Sequence, residues 1–370
     1  MAKIVFLVSS MHGGGAERVA SLLCNFWSRS GHDVILVPTY SGRGSCAYPI
    51  DKNVKLEFLS DRMGSTKKSI INKVRRLSGI RRLIKEEKPE VVVSFLTDVN
   101  IAAVIATIGL AVRVIISERS FPPKCPISLH IRWLRKFFYT YADYVIMQTE
   151  EGLDWLRNES PRSNGRVIPN PVSYPLPEGE PHVLVEDLVQ PDRKLILCVG
   201  RLGEEKRFDR VINAFSTTYL NYPDWDLFII GEGKLRTELE GLIVSLGLSG
   251  RVFLPGRIGN LSAWYERASI FVMSSHFEGF PNALIEAMAY EIPVISLNCS
   301  TGPSEIIENE CDGILIPEND DYTCLSSALT KLIDDYDLRI RMGRRALRVR
   351  EKFSMEVVSN KWESLFDGDF

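Results

Sequence analysis

Two cations stand close together in the second half of the chain. Arg201 and Lys206 follow the apolar run Lys194–Val199 after a glycine, Gly200, that can turn the chain. An arginine presents a planar fork of N–H donors to a phosphate, and a lysine acts as a compact point charge. The pair therefore suits the two phosphates of a nucleoside diphosphate. The alternative is two solvated surface charges, which is the usual state of a single Lys or Arg.

Two carboxylates form a second candidate group. Glu278 and Glu286 lie on either side of a Gly- and Pro-containing loop, and a helix is predicted to begin near Pro281 or Asn282. The amides at a helix start can hold phosphate. Glu286 shares a helix face with Asn282, and a carboxylate accepts the several hydrogen bonds that sugar or ribose hydroxyls donate. Alone, the segment equally fits an amphipathic helix with two exposed glutamates.

A third candidate is the glycine run at residues 13–15, which follows an apolar run and enters a helical pattern. Glycines let backbone amides approach an anion, and a helix N-terminus favours negative charge. The run is not the dinucleotide pattern GxGxxG, and no acidic residue ends the run Asp33–Pro38, where dinucleotide-binding folds hold the ribose. An anion site and a purely structural tight turn both remain open.

Short apolar runs alternate with helical patterns along the chain, which predicts α/β units with parallel sheets. In such sheets ligands bind outside the carboxyl ends of the strands. The predicted strands cover residues 4–9, 33–38, 91–95, 114–118, 144–148, 166–168, 194–199, 226–230, 251–254, 270–273, 293–296 and 313–316.

A proline- and acid-rich stretch separates two such series of strands. Residues 173–192 are predicted to be a linker. Residues 1–172 then form one doubly wound domain and residues 193–350 a second, with a central cleft between them. Residues 351–370 form a tail that is expected to be helical and to cross back.

The motifs occur in an order that resembles the retaining glycosyltransferases of family 4, which have the GT-B fold. The strongest matches are residues 13–18, 200–202 with Lys206, 231–233, 254–256 and 278–286, and the weaker ones are residues 142–143, 168–172 and 302–307. Together these segments cover nearly the whole chain.

The resemblance implies a role for each candidate side chain. Arg201 and Lys206 would bind the donor diphosphate and stabilise the departing nucleotide. Glu278 would hold the transferred sugar, and Glu286 the ribose. The remaining donor contacts implied are Gly14 and Gly15 over the diphosphate, Gly279, Phe280, Asn282 and Ala283 at the sugar and phosphate, and Arg257 and Ile258 at the base.

One position departs from the family pattern. Many members carry a histidine on an N-terminal-domain loop that faces the donor sugar. The corresponding loop here reads Ser117-Glu118-Arg119-Ser120 and has no histidine. Arg119 is therefore grouped with Glu278, Arg201 and Lys206 as a candidate catalytic residue, serving either the acceptor or the donor sugar.

The charge distribution points to different partners for the two halves. The 370-residue chain has a net charge of only -2. Residues 1–170 carry 25 Lys and Arg against 15 Asp and Glu, a net charge of +10, whereas residues 171–370 carry 20 against 32, a net charge of -12.

Much of the basic charge lies in residues 67–88. Apolar residues recur there at helical spacing, so the segment predicts a basic amphipathic helix on anionic lipid. The alternative is a domain helix with a solvated basic face. The candidate membrane or acceptor contacts are Lys67, Lys68, Lys73, Arg75, Arg76, Arg81 and Arg82. A second segment, residues 132–138, adds cations and aromatic side chains to the same half.

Composition excludes several other classes. The seven cysteines show no metal or redox spacing. The apolar run after the N-terminus is too short for a signal peptide, and the longest apolar stretch, residues 101–116, is interrupted by Arg113 and is too short to span a bilayer. No nucleic-acid-reading motif is present. A cytoplasmic enzyme, peripheral on the inner face of the membrane, is expected.

The sequence thus favours a glycosyltransferase that moves a sugar from a UDP-sugar to a lipid-linked saccharide with retention of configuration, in surface polysaccharide or glycan assembly. The expected sugar is N-acetylgalactosamine or a related galactose-type or N-acetylhexosamine sugar. The alternatives are a soluble small-molecule acceptor, or a nucleotide-sugar-binding protein or epimerase of the same fold. The complete set Arg201, Lys206, Glu278 and Glu286 argues against a non-catalytic protein.

The resemblance implies that neither a cofactor nor a metal is required. Asp224-Trp225-Asp226 has the DxD spacing of metal-dependent glycosyltransferases of another fold, but it leads into a strand and is expected to be structural. Transfer activity should therefore survive EDTA, because fixed cations and helix-end amides neutralise the departing diphosphate. Product formation with and without EDTA measures this. A complete loss that only Mn²⁺ or Mg²⁺ restores would contradict the expectation.

Overall fold

The computed structural model describes residues 1–41, 46–63, 70–319 and 322–366. The chain divides into two compact units. Residues 1–171 together with 355–370 form the first unit, and residues 172–354 form the second. Among the described helices, none combines the length and the apolar character that crossing a membrane requires.

The first unit contains a seven-stranded parallel sheet in the order β3-β2-β1-β4-β5-β6-β7. Its strands are β1 Lys3–Val8, β2 Asp33–Pro38, β3 Lys55–Leu56, β4 Val91–Phe95, β5 Arg113–Ser117, β6 Tyr144–Met147 and β7 Gly165–Val167. Its helices are α1 Gly15–Arg29, α2 Leu59–Met63, α3 Ile70–Glu87, α4 Thr97–Thr107, α5 Leu129–Phe138, α6 Glu150–Glu159 and, at the end of the chain, α15 Met355–Glu363.

The second unit contains a six-stranded parallel sheet in the order β10-β9-β8-β11-β12-β13. Its strands are β8 Lys194–Val199, β9 Trp225–Ile230, β10 Val252–Gly256, β11 Ala268–Met273, β12 Val294–Asn298 and β13 Gly313–Pro317. Its helices are α7 Phe208–Ser216, α8 Arg236–Ser245, α9 Leu261–Arg267, α10 Asn282–Ala289, α11 Pro303–Ile306, α12 Thr323–Asp334, α13 Tyr336–Ala346 and α14 Val349–Lys352.

Helices cover both faces of each sheet, which explains why the strands read as continuous apolar runs. In β1, Ile4 and Phe6 face a core shared with α1, while Val5 and Leu7 face a core shared with α3 and α4. All twelve predicted strands are present, with ends shifted by at most two residues. The two-residue strand β3 was missed, because Lys55–Leu56 is too short to show a periodic pattern.

Residues 173–192 were predicted to be a linker, and this prediction is wrong. They belong to the second unit. Leu176, Val185 and Val189 are buried in its core beside residues of α9 and α10. The prolines and acidic residues of this stretch gave the linker pattern, but its few apolar side chains decide its placement because each gains free energy on burial.

The predicted C-terminal tail is helical, and residues 355–370 belong to the first unit. Helix α15 packs on α1 through Trp362, which meets Trp27 with a centroid distance of 6.2 Å and an interplanar angle of 71°. The indole N–H of Trp27 donates to the hydroxyl of Ser359 at 2.8 Å. Both tryptophans are fully buried, so α15 is part of this unit's hydrophobic core.

The C-terminal half of the apolar stripe on helix α3 is covered by its own unit. Its Ile80, Leu83 and Ile84 are buried against the sheet and α4. Packing within the unit therefore explains this half of the sequence pattern. Val74, by contrast, is largely exposed, at 60%.

Two of the candidate membrane cations on α3 are also used within the fold. Arg76 is buried, lies 3.7 Å from the ring centre of Tyr40 and donates to the carbonyl of Thr39. Arg81 donates to the carbonyls of Ala106 and Ile108 at the end of α4.

The other candidate cations on α3 are Lys73, Arg75 and Arg82, which are exposed. Arg82 forms an ion pair with Glu86 at 3.1 Å. Lys67 and Lys68 lie outside the described residues.

The packing of α15 generates a stability prediction. Trp362→Ala should lower the free energy of unfolding by about 3–5 kcal/mol, because it removes a large buried ring and leaves a cavity. Val357→Ala, on the same helix at a position 39% exposed, is the matched control and should change stability by less than about 1 kcal/mol. Urea denaturation followed by circular dichroism measures both. Equal effects of the two substitutions would show that α15 does not stabilise the unit.

Candidate functional site

The candidate residues of the second unit gather where its strand order reverses. Strands β8 and β11 are neighbours, and connections run from β8 towards β9 on one side and from β11 towards β12 on the other. At such a point the loops leaving adjacent strands diverge and open a crevice at their carboxyl ends. Lys206 follows β8, and Glu278 follows β11.

Lys206 and Glu278 meet across this point. The ammonium group of Lys206 lies 2.6 Å from Oε1 of Glu278. Both side chains are mostly covered, with 20% and 13% of their surface exposed, so water weakens their attraction less than it would at an open surface. The sequence placed these residues in separate motifs 72 positions apart, and the fold makes them one group.

Backbone and hydroxyl contacts hold the two loops together. The hydroxyl of Ser274 donates to the carbonyl of Lys206 at 2.7 Å, and the amide of His276 donates to the carbonyl of Glu205 at 2.8 Å. The hydroxyl of Thr301, after β12, donates to the carbonyl of Glu278. Sequence reasoning missed Ser274 and Thr301 as supports, because a lone hydroxyl gives no spacing signal.

Gly302 brings the loop after β12 against the loop that carries Glu278. Its φ is +98°, and a Cβ there would lie 2.6 Å from Cδ of Pro281. Only glycine meets both conditions without strain. The weaker sequence match at residues 302–307 therefore has a physical basis, since it allows the close approach that supports Glu278.

Arg201 is not brought onto the Lys206–Glu278 pair by any of its described contacts. Its guanidinium is largely exposed and binds the carboxylate of Glu205 at 2.6 Å and 3.0 Å. Burial raises the pKa of Glu205 and is the largest single influence on it. The hydrogen bond from Arg201, a backbone hydrogen bond and the positive charges of Arg201 and Lys206 together outweigh burial, so the net pKa lies below its usual value. An anion that recruits Arg201 must compete with this internal carboxylate.

The helix that was predicted to begin near Pro281 or Asn282 does begin at Asn282. Asn282 and Ala283 are partly exposed there, whereas Phe280 is buried, with its ring 5.3 Å from that of Phe353. Since its ring is buried, Phe280 could contact a ligand only through its backbone amide. Gly279 lies in the turn before it and is partly exposed.

Glu286 is buried rather than exposed, with 4% of its surface accessible. It lies one turn into α10, and its Oε2 accepts a hydrogen bond from the hydroxyl of Tyr265 at 3.2 Å. That tyrosine is itself fully buried. The tyrosine holds the carboxylate under the start of α10, a role that sequence spacing did not reveal.

The loops after β9 and β10 complete this edge of the sheet. Gly231 has a φ of +149°, and a Cβ there would collide with the carbonyl oxygen of Gly200. Arg257 is exposed. Ile258 is buried in the core at 5% exposure, so any contact it makes with a nucleoside base must use its backbone.

The glycine run at residues 13–15 of the first unit already binds a carboxylate of the same chain. Oε2 of Glu17 accepts the amide of Gly13 at 2.5 Å, and Oε1 accepts the hydroxyl of Ser10. Gly14 is the residue before α1, and Gly15 is its first residue. The internal carboxylate satisfies one of the loop amides, which supports a structural role for that part of the turn.

Arg119 lies at the carboxyl edge of the first unit's sheet. Its guanidinium is 4.2 Å from the ring centre of Phe95 and donates to Oδ1 of Asn170, which also accepts from Gln148 at 2.6 Å. Burial lowers the pKa of Arg119 to about 9. Within the described parts of the chain, the buried Nε of Arg119 and Oε1 of Gln148 have no hydrogen-bond partner.

The DxD sequence is held by cations of its own unit. Asp226 is buried and binds Arg193 and Arg251, and Asp224 binds Lys194 at 2.9 Å. Over the described ranges, which omit residues 42–45, 64–69, 320–321 and 367–370, no group of three or more metal-ligating side chains occurs.

Two family models match the chain. Residues 13–174 match the model described as Glycosyltransferase Family 4, and residues 184–349 match Glycosyl transferases group 1.

The chain is 28% identical over 367 residues to a Campylobacter jejuni alpha-1,4-N-acetyl-D-galactosaminyltransferase. By its name, that enzyme acts on a saccharide linked to undecaprenol through diNAcBac and a diphosphate. The match covers 99% of this chain and 98% of that enzyme. The chain is also 25% identical to the amylovoran biosynthesis glycosyltransferase AmsD of Erwinia amylovora, in a match that covers 99% and 100% of the two chains.

Solved structures share the fold at low sequence identity. Sucrose-phosphate synthase from Thermosynechococcus elongatus superposes with a TM-score of 0.84 at 18% identity, over 99% of this chain and 98% of that one. The Anabaena protein HepE in complex with UDP-glucose superposes with a TM-score of 0.83 at 15% identity, over all of both chains.

The close approach at Gly231 generates a prediction with a built-in comparison. Gly231→Ala should cost more than about 1 kcal/mol of stability, because alanine is strained at positive φ. It should also weaken UDP binding, since the collision pushes Gly200 and the following Arg201 out of place. Gly241→Ala, at an open position inside α8, should instead stabilise by about 0.5–1 kcal/mol.

Thermal unfolding and calorimetric titration with UDP measure the two effects. Unchanged UDP affinity in a folded Gly231→Ala protein would remove this turn from the site.

Proposed function

The chain belongs to glycosyltransferase family 4 and has the GT-B fold, and from this premise we propose that it moves a sugar from a UDP-sugar to a lipid-linked saccharide. The proposed transfer retains anomeric configuration and needs no metal. The donor sugar is N-acetylgalactosamine or a related galactose-type or N-acetylhexosamine sugar. The observation that carries the donor site is the Lys206–Glu278 pair at the strand-order reversal of the second unit.

Lys206 is the residue proposed to stabilise the leaving diphosphate. Negative charge builds on the phosphate oxygens as the bond to the sugar breaks, and a fixed cation in a partly dry site stabilises that charge without reorganising. Lys206 is fixed because Glu278 and the loop contact from Ser274 hold it. The backbone amides at Asn282 and Ala283, which start α10, offer further donors.

Glu278 is proposed to select and hold the transferred sugar. Lys206 contacts its Oε1, and a carboxylate can accept several hydrogen bonds. Sugar hydroxyls would then bind to Glu278 while the adjoining diphosphate binds to Lys206. One ion pair would thus set the distance between the part of the donor that is transferred and the part that leaves.

The other proposed donor contacts lie around this pair. Arg201 would leave Glu205 to bind the diphosphate, and Glu286, held by Tyr265, would accept the ribose hydroxyls. Arg257 and the backbone of Ile258 would contact the base. The choice of uracil rests on structural neighbours that contain UDP or UDP-glucose, together with the habit of the family.

In the first unit we assign an anionic or strongly polar group to Arg119. Its described partners, Asn170, Ser117 and the ring of Phe95, are all uncharged. A buried cation without a counter-charge is costly, and an anion nearby would remove that cost. Gly14 and Gly15 are kept as donor contacts, although the Glu17 carboxylate already satisfies the amide of Gly13.

The lipid-linked acceptor is supported by the relatives rather than by helix α3. Two Campylobacter jejuni relatives are named for acceptors that are saccharides linked to undecaprenol diphosphate. This function would place the protein on the cytoplasmic face of a membrane. The burial of Ile80, Leu83 and Ile84 weakens the sequence argument for lipid contact through α3 and favours, to that extent, the competing proposal of a soluble acceptor.

One experiment separates these proposals. The protein is incubated with a panel of sugar nucleotides and with either membrane lipid extract or a pool of soluble metabolites, and the products are identified by mass spectrometry. A lipid product whose mass grows by one sugar supports the proposal. A sugar transferred only to soluble molecules supports the competing one, and nucleotide binding without any product would indicate a non-catalytic protein.

The role of Lys206 gives a kinetic prediction. Lys206→Ala should lower kcat by roughly a hundredfold or more, because the contact strengthens as the diphosphate leaves. Arg201→Ala should also lower kcat. Lys234→Ala is the matched control, since Lys234 is exposed and binds Glu204 in the neighbouring loop, and it should leave kcat within about twofold.

Steady-state kinetics with the preferred donor measure all three variants. Near-normal kcat in both Lys206→Ala and Arg201→Ala would refute this donor site.

A further inference from the structure

Helix α5 exposes an apolar face that its own unit does not cover. Leu129, Trp133 and Phe137 on the helix, and Tyr141 just beyond it, recur every four residues and are 83%, 64%, 45% and 57% exposed. We call these four residues the α5 ridge. The opposite side of α5 packs inward through Ile131, Leu134 and Phe138. The ridge is therefore a second apolar face, additional to the one that the core uses.

The rings of the ridge are ordered against one another. Trp133 and Phe137 stack with centroids 5.6 Å apart and planes within 3°, and Tyr141 follows 5.5 Å from Phe137. The three rings form a continuous strip along the helix. A contiguous exposed apolar strip of this kind indicates a surface that binds another apolar surface. Trp and Tyr are favoured at membrane–water interfaces, where the apolar part of the ring is buried and its polar group stays in water.

The charge beside the ridge indicates what covers it. Residues 120–142 contain Lys124, Arg132, Arg135 and Lys136 and not one carboxylate. Arg132 binds both oxygens of Glu159 and Arg135 is buried, whereas Lys136 is exposed next to Phe137. An apolar strip bordered by positive charge matches the boundary between acyl chains and anionic headgroups.

Helix α3 adds positive charge on the same side of the first unit. Helices α3, α4 and α5 all pack on the sheet face opposite α1, with α4 between the other two. The exposed cations of α3, Lys73, Arg75 and Arg82, therefore belong to the side of the unit that carries the ridge. Long-range attraction to an anionic surface would come from α3 and insertion from α5.

We propose that the α5 ridge inserts into the interface of an anionic lipid bilayer and docks the enzyme on it. This inference deepens the proposed function, because it rests on the lipid-linked acceptor and names the surface that meets the membrane. It also relocates the contact expected from the sequence: the apolar insertion belongs to α5, while α3 supplies charge alone.

The tryptophans of the chain make a direct test available. Four of the six, Trp27, Trp225, Trp264 and Trp362, are fully buried. Trp155 is partly covered and lies under the guanidinium of Arg135. Trp133 is the one that is largely exposed. A blue shift of tryptophan emission when vesicles are added, and its quenching by lipids brominated on the acyl chains, will therefore report on Trp133.

The experiment uses the full chain and vesicles of phosphatidylcholine with and without phosphatidylglycerol, in the absence of any sugar nucleotide. Wild type is expected to sediment with the anionic vesicles, with a blue shift and quenching. Trp133→Phe should still sediment but lose the fluorescence change. The double variant Trp133→Ser/Phe137→Ser should bind at least tenfold more weakly while its thermal unfolding stays unchanged, because both rings are exposed.

The control variant replaces two exposed apolar side chains by serine on a different surface. Leu220→Ser/Val244→Ser alters two exposed apolar residues of the second unit, 77% and 68% accessible, and should bind vesicles like wild type. Charge reversal of Lys73, Arg75 and Arg82 should weaken binding to anionic vesicles but leave the acyl-chain quenching of the bound fraction in place.

Three outcomes would overturn the proposal: no vesicle binding by wild type at low salt, binding without acyl-chain quenching, or equal binding by the ridge variant and its control. Concentration-dependent self-association that the ridge variant abolishes would assign the ridge to a second copy of this chain instead. If wild type does not bind vesicles but adds a sugar to a lipid acceptor in detergent, the docking proposal is refuted and the proposed function is supported. If it binds vesicles through the ridge but transfers no sugar, the docking proposal is supported and the proposed function is refuted.

Discussion

The ion pair between Lys206 and Glu278 is the interaction on which the candidate site of the second unit depends. It joins the loops after two adjacent strands, β8 and β11, at the point where the strand order reverses. A parallel sheet places the carboxyl ends of its strands at one edge, so these loops must meet there. Under the proposed function, the cation would bind the leaving diphosphate of the donor and the carboxylate would bind its sugar.

Keeping that pair in place depends on close backbone packing more than on further charges. Gly302 allows the next loop to touch Pro281, and Thr301 then reaches the carbonyl of Glu278. On the other side, Gly231 passes against the carbonyl of Gly200. Glycines at these points have no side chain to separate the loops. The loops that form the candidate site are in close contact, and fixed groups of this kind can stabilise developing charge without reorganising.

The two units use charge in different ways. In the second unit the candidate cations are matched by internal carboxylates, Glu205 for Arg201 and Glu278 for Lys206. In the first unit Arg119 has uncharged described partners, and the cations of α3 divide between structural contacts and open surface. Unmatched positive charge in the unit with the basic composition fits binding to anionic groups, whether on lipid or on acceptor.

The sequence by itself determined the strands and the positions of the candidate donor residues after them. Apolar runs separated by helical patterns gave all twelve longer strands, because strands buried on both faces need continuous apolar residues. Motifs after those strands gave Arg201, Lys206, Glu278 and the start of α10 at Asn282. The carboxyl ends of parallel strands meet at one edge of the sheet whatever the loops contain. Residues that directly follow the strands can therefore be predicted from the sequence to lie at that edge.

Only the tertiary structure decided which apolar and basic faces are buried. Periodicity alone made α3 an interfacial helix, yet Ile80 and Ile84 are covered by the sheet and α4. Arg76 and Arg81 of α3 make contacts within the first unit. Residues 173–192 pack into the second unit, and Trp133 remains exposed. A helical pattern shows that one face is apolar, but what covers that face depends on neighbours distant in sequence.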